Sequence, residues 1–413
     1  MISRLCHRAW RALRCLLWLS ALAVPLAAQG DELSSLLAQR LAYMKDVAAY
    51  KWQHELPIEN LERERVVLTR AVQQGLRYGL RQDSSRHFFS VQIKAAKEIQ
   101  RYWFEHWRGG GEGQIPSAPD LERELRPALI QLGDQITAAL ARTGAEVAAL
   151  DMRGLSRATA IELSKAAGAV ARYSNRLTQI LDSGVLRVGT TGDYPPFSSH
   201  RTEEDEAGDW SGVDIDLAQD LARSLGVQID WVQTSWPTLM DDLHSERYDI
   251  GMSGISINLR RQQTAYFSRP YHRGGKTAVA RCTDRDKFPS LAAIDQPQTR
   301  LVVNPGGTNE QFVKANIVRA TVLVHADNRS IFDEIIAARA DVMITDQIEV
   351  RLQVALHPEL CAVLGGATLT FSEKAYLLPQ DIVWKEYVDA WLGLRLGDGV
   401  VEQGFARHLA ISH

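Results

Sequence analysis

Cysteine is scarce in this 413-residue chain, with four in all. No two stand at C-x-x-C spacing, so neither a cysteine metal site nor a dithiol redox motif can be built. Basic blocks are missing as well. The 47 Lys and Arg are balanced by 50 Asp and Glu, a net charge of -3, and this excludes the basic footprint of a nucleic-acid binder. There is no Gly-rich phosphate loop and no His/Cys ligand cluster, so no nucleotide cofactor and no metal is implied. Proline is thin over residues 31–182, where only Pro57, Pro116, Pro119 and Pro127 occur, which leaves room for long helices. After Ser183, Gly and Pro punctuate short apolar runs that alternate with helical patterns. A chain that changes character this sharply reads as two domains, and it is too long for one ordinary core.

Residues 1–30 stand apart. Arg4, Arg8, Arg11 and Arg14 precede an apolar run from Cys15 to Ala28, followed by Asp31 and Glu32. That is the charged region, short apolar region and small-residue end of a secretory signal cleaved near residues 28–30. The run is short for a bilayer span. The expectation is an exported protein with no membrane attachment after cleavage. Cys6 and Cys15 would leave with the signal. Cys282 and Cys361 would remain and pair as a disulfide.

From 31 to 182 the apolar pattern is helical. Leu33, Leu37, Leu41, Met44 and Ala48 recur at three and four residues. Arg40 and Lys51 lie eleven residues apart, three turns on, and share a face. Pro57 interrupts in Leu56-Pro57-Ile58-Glu59-Asn60, and a helix restarts through Glu62, Arg63 and Glu64. On a later helix Gln92, Ala96 and Gln100 stack at i, i+4, i+8.

Arg40, Lys51-Trp52, the Leu-Pro-Ile-Glu-Asn turn, Arg63-Glu64 and Gln92-x3-Ala96-x3-Gln100 together resemble the exported, gamma-type, all-helical chorismate mutases. The resemblance implies that Arg40 and Arg63 take the two carboxylates of chorismate. Lys51 and Gln100 would be catalytic, donating to the ether oxygen from its two sides, and Glu64 would hold the ring hydroxyl. Asn60 stands among the substrate-binding positions, where family members often carry Asp. Ala96 replaces a common Ser or Thr. A further arginine of some members falls here on Gln135, with Arg126 as the alternative. Such a protein clamps a dianion that rearranges without covalent catalysis.

The second half, 183–413, reads as strands at Leu186–Gly189, Gln228–Val232, Tyr248–Met252, Lys276–Arg281, Arg300–Val303, Val322–His325, Val342–Thr345 and Ala375–Leu378. Helices fall between them, which argues for parallel sheets covered on both faces. Two such sheets make two lobes, with the chain crossing near Arg273–Lys276 and Phe371–Ala375 and a ligand cleft between them. The fold class is therefore an all-α domain followed by an α/β two-lobed domain.

Gly192-Asp193-Tyr194-Pro195-Pro196-Phe197, Gly212-Val213-Asp214 and Arg261 ahead of Phe267-Ser268-x-Pro270-Tyr271 resemble extracytoplasmic amino-acid-binding proteins. By that resemblance Arg261 grips an α-carboxylate and Asp346 an α-amino group. The stretches Thr234–Pro237, Met252–Leu259, Asn304–Glu310, Thr345–Glu349 and Ser372–Pro379 resemble cyclohexadienyl dehydratase, an exported enzyme on the same fold acting on prephenate and arogenate. That resemblance makes Glu349 the general acid. Asn304, Thr308 and Asn309 would bind the substrate where a helix begins, Trp236 and Tyr194 would wall the ring pocket, and Ser253 would stand among the binding residues. Asp346 would meet the amino group of arogenate.

The expected whole is a bifunctional periplasmic enzyme of phenylalanine biosynthesis, making prephenate in one half and consuming it in the other. Its substrates are small molecules, no cofactor is implied, and a homo-oligomer is open. The rival is a helical module fused to a non-catalytic amino-acid receptor of an ABC uptake system. An acid at Glu349 beside Asp346 separates the two, since a simple receptor has no use for it.

Overall fold

The computed structural model describes residues 27–111, 115, 117–142, 147–148, 150–200 and 210–409. The expected export signal lies outside the described residues, apart from the backbone of 27–30, which opens the first helix. The chain divides into two compact units, Met1–Tyr173 and Ser174–His413.

The first unit is helical: α1 (Ala27–Ala42), α2 (Met44–Gln53), α3 (Leu61–Arg77), α4 (Gln82–Arg108), α5 (Arg126–Arg142) and α6 (Arg157–Gly168). Leu33, Leu37, Leu41, Met44 and Ala48 are all buried, so the stripe read from their spacing is the core face of α1 and α2. Pro57 cannot donate into a helix and sits in the turn between α2 and α3. Asn60 then restarts the helix as its N-cap, its side-chain oxygen accepting from the Arg63 N–H at 2.8 Å. The 27-residue α4 contains no Gly or Pro and buries Phe88, Val91, Ala95, Ile99, Trp103 and Trp107. It packs on α2, α3 and α6, while α1 packs on α5.

The second unit opens with α7 (Arg176–Ser183). The sequence pattern groups this helix with the helical half, but its contacts are with the α/β half. Ile180 is buried in one cluster with Leu186 and Val188, and Arg176 donates to Asp249 at 3.2 Å and to Glu246 at 3.0 Å. Periodicity identifies a helix but not the sheet it covers.

The first sheet of this unit is built from β1 (Val185–Thr190), β5 (Gln228–Gln233), β6 (Ile250–Gly251), β7 (Tyr266–Phe267) and β15 (Leu377–Leu378), in the order β5-β1-β6-β15-β7. The second holds β9 (Lys276–Arg281), β10 (Arg300–Val303), β11 (Thr321–Val324), β12 (Val342–Asp346) and β13 (Leu360–Ala362), in the order β11-β10-β12-β9-β13. A small sheet of β2 (Asp193–Tyr194), β3 (Ser198–His200) and β4 (Trp210–Ser211) flanks the first. The helices used below are α8 (Val213–Leu225), α9 (Thr308–Asn316), α10 (Gln347–Leu356) and α11 (Ile382–Gly397).

The sheets are mixed rather than parallel throughout. β1 runs parallel to β5 and β6, and β10 to β11 and β12. β9 is antiparallel to β12 and β13, and β15 to β6 and β7. The reason is connectivity. A parallel neighbour needs a helical crossover, whereas β9 and β15 enter their sheets straight from the antiparallel ribbon of β8 (His272–Gly274) and β14 (Ser372–Lys374). This ribbon is where the chain crosses between lobes.

Within the second lobe both sheet faces are covered. Ala278, Ala280, Leu301, Val303, Val342 and Ile344 enter one core, and Val279, Val302 and Met343 the other. That is why these strands read as unbroken apolar runs. Close backbone approach is required at Gly306 (φ +81), where an added Cβ would lie 2.5 Å from the Pro237 nitrogen of the facing lobe.

Cys282 and Cys361 form a disulfide with Cα atoms 4.8 Å apart and a sequence separation of 79. It clips β13 to the end of β9. Replacing both cysteines by alanine should destabilise this unit by up to roughly 4 kcal/mol on a chain-entropy argument. Urea unfolding of the two proteins measures it, and an unchanged midpoint would show the bridge to be thermodynamically idle.

Candidate active sites

A cavity of about 260 Å³ opens within the helical unit. The sequence-predicted Arg40, Lys51, Asn60, Arg63, Glu64 and Gln100 all line it. They are brought together because α1 to α4 turn their half-buried edges toward one space, with α5 closing it. Lys51 Nζ donates to the Ile58 carbonyl at 2.7 Å and to Gln100 Oε1 at 3.0 Å. The Pro57 turn thus supplies an anchor for Lys51, and α4 supplies the second. The Gln100 amide N–H faces the Ala96 carbonyl at 3.2 Å. Arg40 donates to the Leu129 carbonyl, and burial lowers its guanidinium to about 10. Burial likewise pulls Lys51 below its usual value, with Glu64 opposing and Arg126 and Lys97 adding to the fall.

Of the two positions considered for the additional arginine, Arg126 lines the cavity and Gln135 does not. Other lining groups were not assigned from sequence. Lys97 binds Glu64 at 3.0 Å and Glu59 at 2.7 Å, fixing the Glu64 carboxylate. Gln92 is buried with its amide nitrogen unpartnered. The result is a pocket ringed by cations, with apolar walls from Met44, Val47, Val67 and Ile93.

The second site lies in the cleft of the two-lobed unit. Tyr194, Trp236, Arg261, Asn304, Thr308, Asn309 and Asp346 line it, as the sequence pattern implies, together with Gly254, Ser256, Gly307, Asn328 and Lys374. The open volume is about 20 Å³, room for little more than one water. An aromatic ring does not fit this space and can enter only when the lobes part.

Asp346 is its electrostatic centre. One oxygen accepts from Lys276 at 2.9 Å, the other from Lys374 at 2.6 Å and from the Tyr194 hydroxyl. Burial would raise this carboxyl, but the two ammonium groups outweigh it and hold the pKa far below the carboxylate range. Lys276 also donates to Thr308 at 3.0 Å and to Asn309. Asn309 in turn donates to Asn304 and to Thr345 Oγ1, each at 3.0 Å.

Glu349 does not line the cavity. It lies in the first turn of α10, 1% exposed, with its carboxyl accepting from the Thr345 hydroxyl behind the wall that Asn309 and Asp346 form. Burial first, and the Asp346 charge second, push it up to about 8, against the Thr345 hydrogen bond and the lysines. Two carboxylates one turn apart thus have their proton affinities driven in opposite directions, the arrangement that separates an acid from a fixed anion.

Ser253 is set back too. Its hydroxyl is fully buried between Thr191 at 2.7 Å and Ser198 at 2.6 Å, leaving nothing to offer a ligand. Ser256 takes the lining place, bonded to Lys374 at 3.0 Å. Asp214 serves the frame: it accepts from the Gly254 N–H at 2.6 Å and from Tyr271 at 2.8 Å.

Lys276 and Lys374 are the buried cations at the cleft that were not singled out from sequence. The available signal was their context. Each charge abuts an apolar run, Thr277–Ala280 or Ala375–Leu378, and lysine is almost never buried unless paired. Among the described residues no group of three His, Cys, Asp or Glu is placed to hold a metal, and no helix is long and apolar enough to cross a membrane.

Comparison with known proteins matches residues 186–392 to the bacterial extracellular solute-binding proteins, family 3, and residues 29–101 to chorismate mutase type II. The chain is 52% identical over 251 residues to cyclohexadienyl dehydratase of Pseudomonas aeruginosa, covering 61% of this chain and 92% of that protein. It is 26% identical over 191 residues to an L-cystine-binding protein of Escherichia coli, covering 46% of this chain and 70% of that protein. Among solved structures, an ancestral amino-acid-binding protein described as a precursor of cyclohexadienyl dehydratase matches with a TM-score of 0.53 and 31% identity. That match covers 57% of this chain and 99% of the other.

The raised proton affinity of Glu349 makes stability depend on pH. Between about 4.5 and about 8 the native state binds more protons than the unfolded chain, so Glu349's contribution falls as pH rises through that window. Glu349→Gln removes that loss. The variant should match the parent at pH 4.5 and exceed it in melting temperature at pH 9. Parallel melting curves across that range would contradict the raised proton affinity.

Proposed function

Because the chain belongs to the family 3 bacterial extracellular solute-binding proteins, carries a chorismate mutase type II match ahead of that domain and shares 52% identity with a cyclohexadienyl dehydratase, we propose that it is an exported, bifunctional enzyme of phenylalanine biosynthesis. The helical unit converts chorismate to prephenate. The two-lobed unit converts prephenate or arogenate to phenylpyruvate or phenylalanine. The observation that carries the reading is the pair of sites itself: a cation-ringed cavity in one unit, and in the other a buried, proton-holding Glu349 beside a permanently ionised Asp346.

In the helical unit, Arg40, Arg63 and Arg126 oppose the two carboxylates of chorismate and hold it in the folded geometry the rearrangement needs. Lys51 is kept in place by Ile58 and Gln100, and its ammonium stabilises the negative charge that builds on the ether oxygen as the carbon–oxygen bond breaks. Glu64, fixed by Lys97, accepts from the ring hydroxyl. No proton is transferred, so none of these groups needs a tuned acid strength.

In the cleft, Arg261, Asn304 and Asn309 hold the substrate, with Trp236 and Tyr194 against the ring. Glu349, which stands behind Thr345, gives its proton to the Thr345 hydroxyl as that hydroxyl passes its own to the departing ring hydroxyl, which leaves as water. The bond to the ring carboxylate breaks, its electron pair enters the ring to complete the aromatic system, and carbon dioxide departs. Glu349 is left as a carboxylate and takes a proton from solvent when the cleft reopens.

Chorismate added to the purified protein should yield phenylpyruvate. Lys51→Ala should lower chorismate consumption ~10²–10³-fold, the usual loss for one donor to a developing oxyanion, while prephenate turnover is retained. An unchanged rate would remove Lys51 from the mutase site. Glu349→Gln should lower prephenate turnover ~10²–10⁴-fold, so that chorismate accumulates as prephenate. A receptor without catalysis would turn over prephenate in neither form.

A further inference from the structure

The ionised groups around the cleft are unequal in number. Arg261 and Lys374 line it as cations, and Asp346 lines it as an anion. Lys276 stands directly behind, 2.9 Å from Asp346. The remaining carboxylates do not restore the balance. Glu349 is buried behind Thr345 and holds a proton, and Asp193 stands behind Trp236, bonded to its indole N–H at 3.2 Å. With one lysine matched to Asp346, two positive charges face the space a ligand would fill.

The position of one of them matters most. Lys374 Nζ is 2.6 Å from Asp346, 3.0 Å from Ser256 Oγ and 3.4 Å from the Tyr194 hydroxyl, and it stands over the Tyr194 ring at 5.1 Å. The residue is 3% exposed. An ammonium already occupies the one lining carboxylate.

We infer that Lys374 acts as a built-in ammonium that makes this cleft selective for a dicarboxylate lacking an amino group, so that prephenate is preferred over arogenate, with Lys374 as the residue that sets the preference. The inference rests on the dehydratase reading of this site. Prephenate brings two carboxylates and a keto group, and its two negative charges match the two unbalanced cations. Arogenate carries the same carboxylates and an ammonium in place of the ketone. That ammonium would have to enter beside Lys374 and Lys276 and share Asp346 with them, a like-charge contact in a desolvated space. Discrimination thus comes from repulsion of the wrong substrate as much as from attraction of the right one.

The test uses the whole chain. kcat/KM is measured for prephenate and for arogenate on the parent, and a preference for prephenate of about tenfold or more is expected for a buried like-charge contact. Lys374→Met keeps the apolar stem and removes the charge. It should narrow the ratio about tenfold, by loss on prephenate and gain on arogenate together. Equal values in the parent, or a preference for arogenate, overturn the inference and leave the dehydratase reading standing. No turnover of either substrate by the parent overturns both. A Lys374→Met protein that melts cooperatively yet keeps the parental ratio also overturns it. If that variant does not fold, the parental ratio decides alone.

Discussion

The carboxylate of Asp346 is the point on which the cleft of the two-lobed unit depends. It accepts from Tyr194 in the first lobe, from Lys374 on the connecting ribbon and from Lys276 in the second lobe. Ion pairs this deeply buried add little net stability, because the cost of stripping water from three charges offsets their attraction. Their effect is conformational. Removing any one partner strands the others without water, so all three elements are held to one arrangement. The chain through Asn309, Asn304 and Thr345 extends that constraint to Glu349. A carboxyl whose proton affinity burial raises therefore sits beside one whose affinity two ammonium groups lower.

The helical unit solves a different problem. Its reaction needs no proton, only positive charge placed around a dianion. Arg40 and Lys51 both have lowered proton affinity, burial being the main cause. A polar cavity of this kind is held open by the rigid scaffold around it: a 27-residue α4 packed on three neighbours, and an N-cap at Asn60 that sets where α3 begins. Asn60 lines the cavity while its oxygen is committed to the Arg63 N–H. Its effect on ligand is thus in part to orient the helix that carries Arg63 and Glu64.

Both sites keep the groups that support apart from the groups that react. In the cleft, Ser253, Thr191 and Ser198 form a closed hydroxyl cluster, and Asp214 ties the Gly254 loop to Tyr271. These groups lie next to the lining but satisfy one another. The lining itself is drawn from both lobes and the ribbon, so its closure and its chemistry are set by the same contacts.

Much of this was legible in the order of residues. The helical stripe from Leu33 to Ala48, the break at Pro57, the strands Lys276–Arg281 and Arg300–Val303, and the Cys282–Cys361 pair follow from periodicity, proline chemistry and cysteine count, all local or compositional properties. Arg40 and Lys51 fall on two successive helices, α1 and α2, that meet at Tyr43, and both still line one cavity. What faces what across elements is not fixed by spacing. Lys276 and Asp346 are 70 residues apart, Lys374 and Asp346 28, and Tyr194 and Asp346 152. Nothing in the periodicity of one strand states which strand lies opposite. The same limit explains α7, whose helical pattern was plain while its partner sheet was not, and the antiparallel entry of β9 and β15, which depends on how the ribbon crosses between lobes. The order of residues determined the elements and the kinds of chemistry available. Only the tertiary structure decided which side chains are buried together: burial raises the proton affinity of Glu349 and sets Ser253 aside, while the two lysines buried with Asp346 keep it an anion.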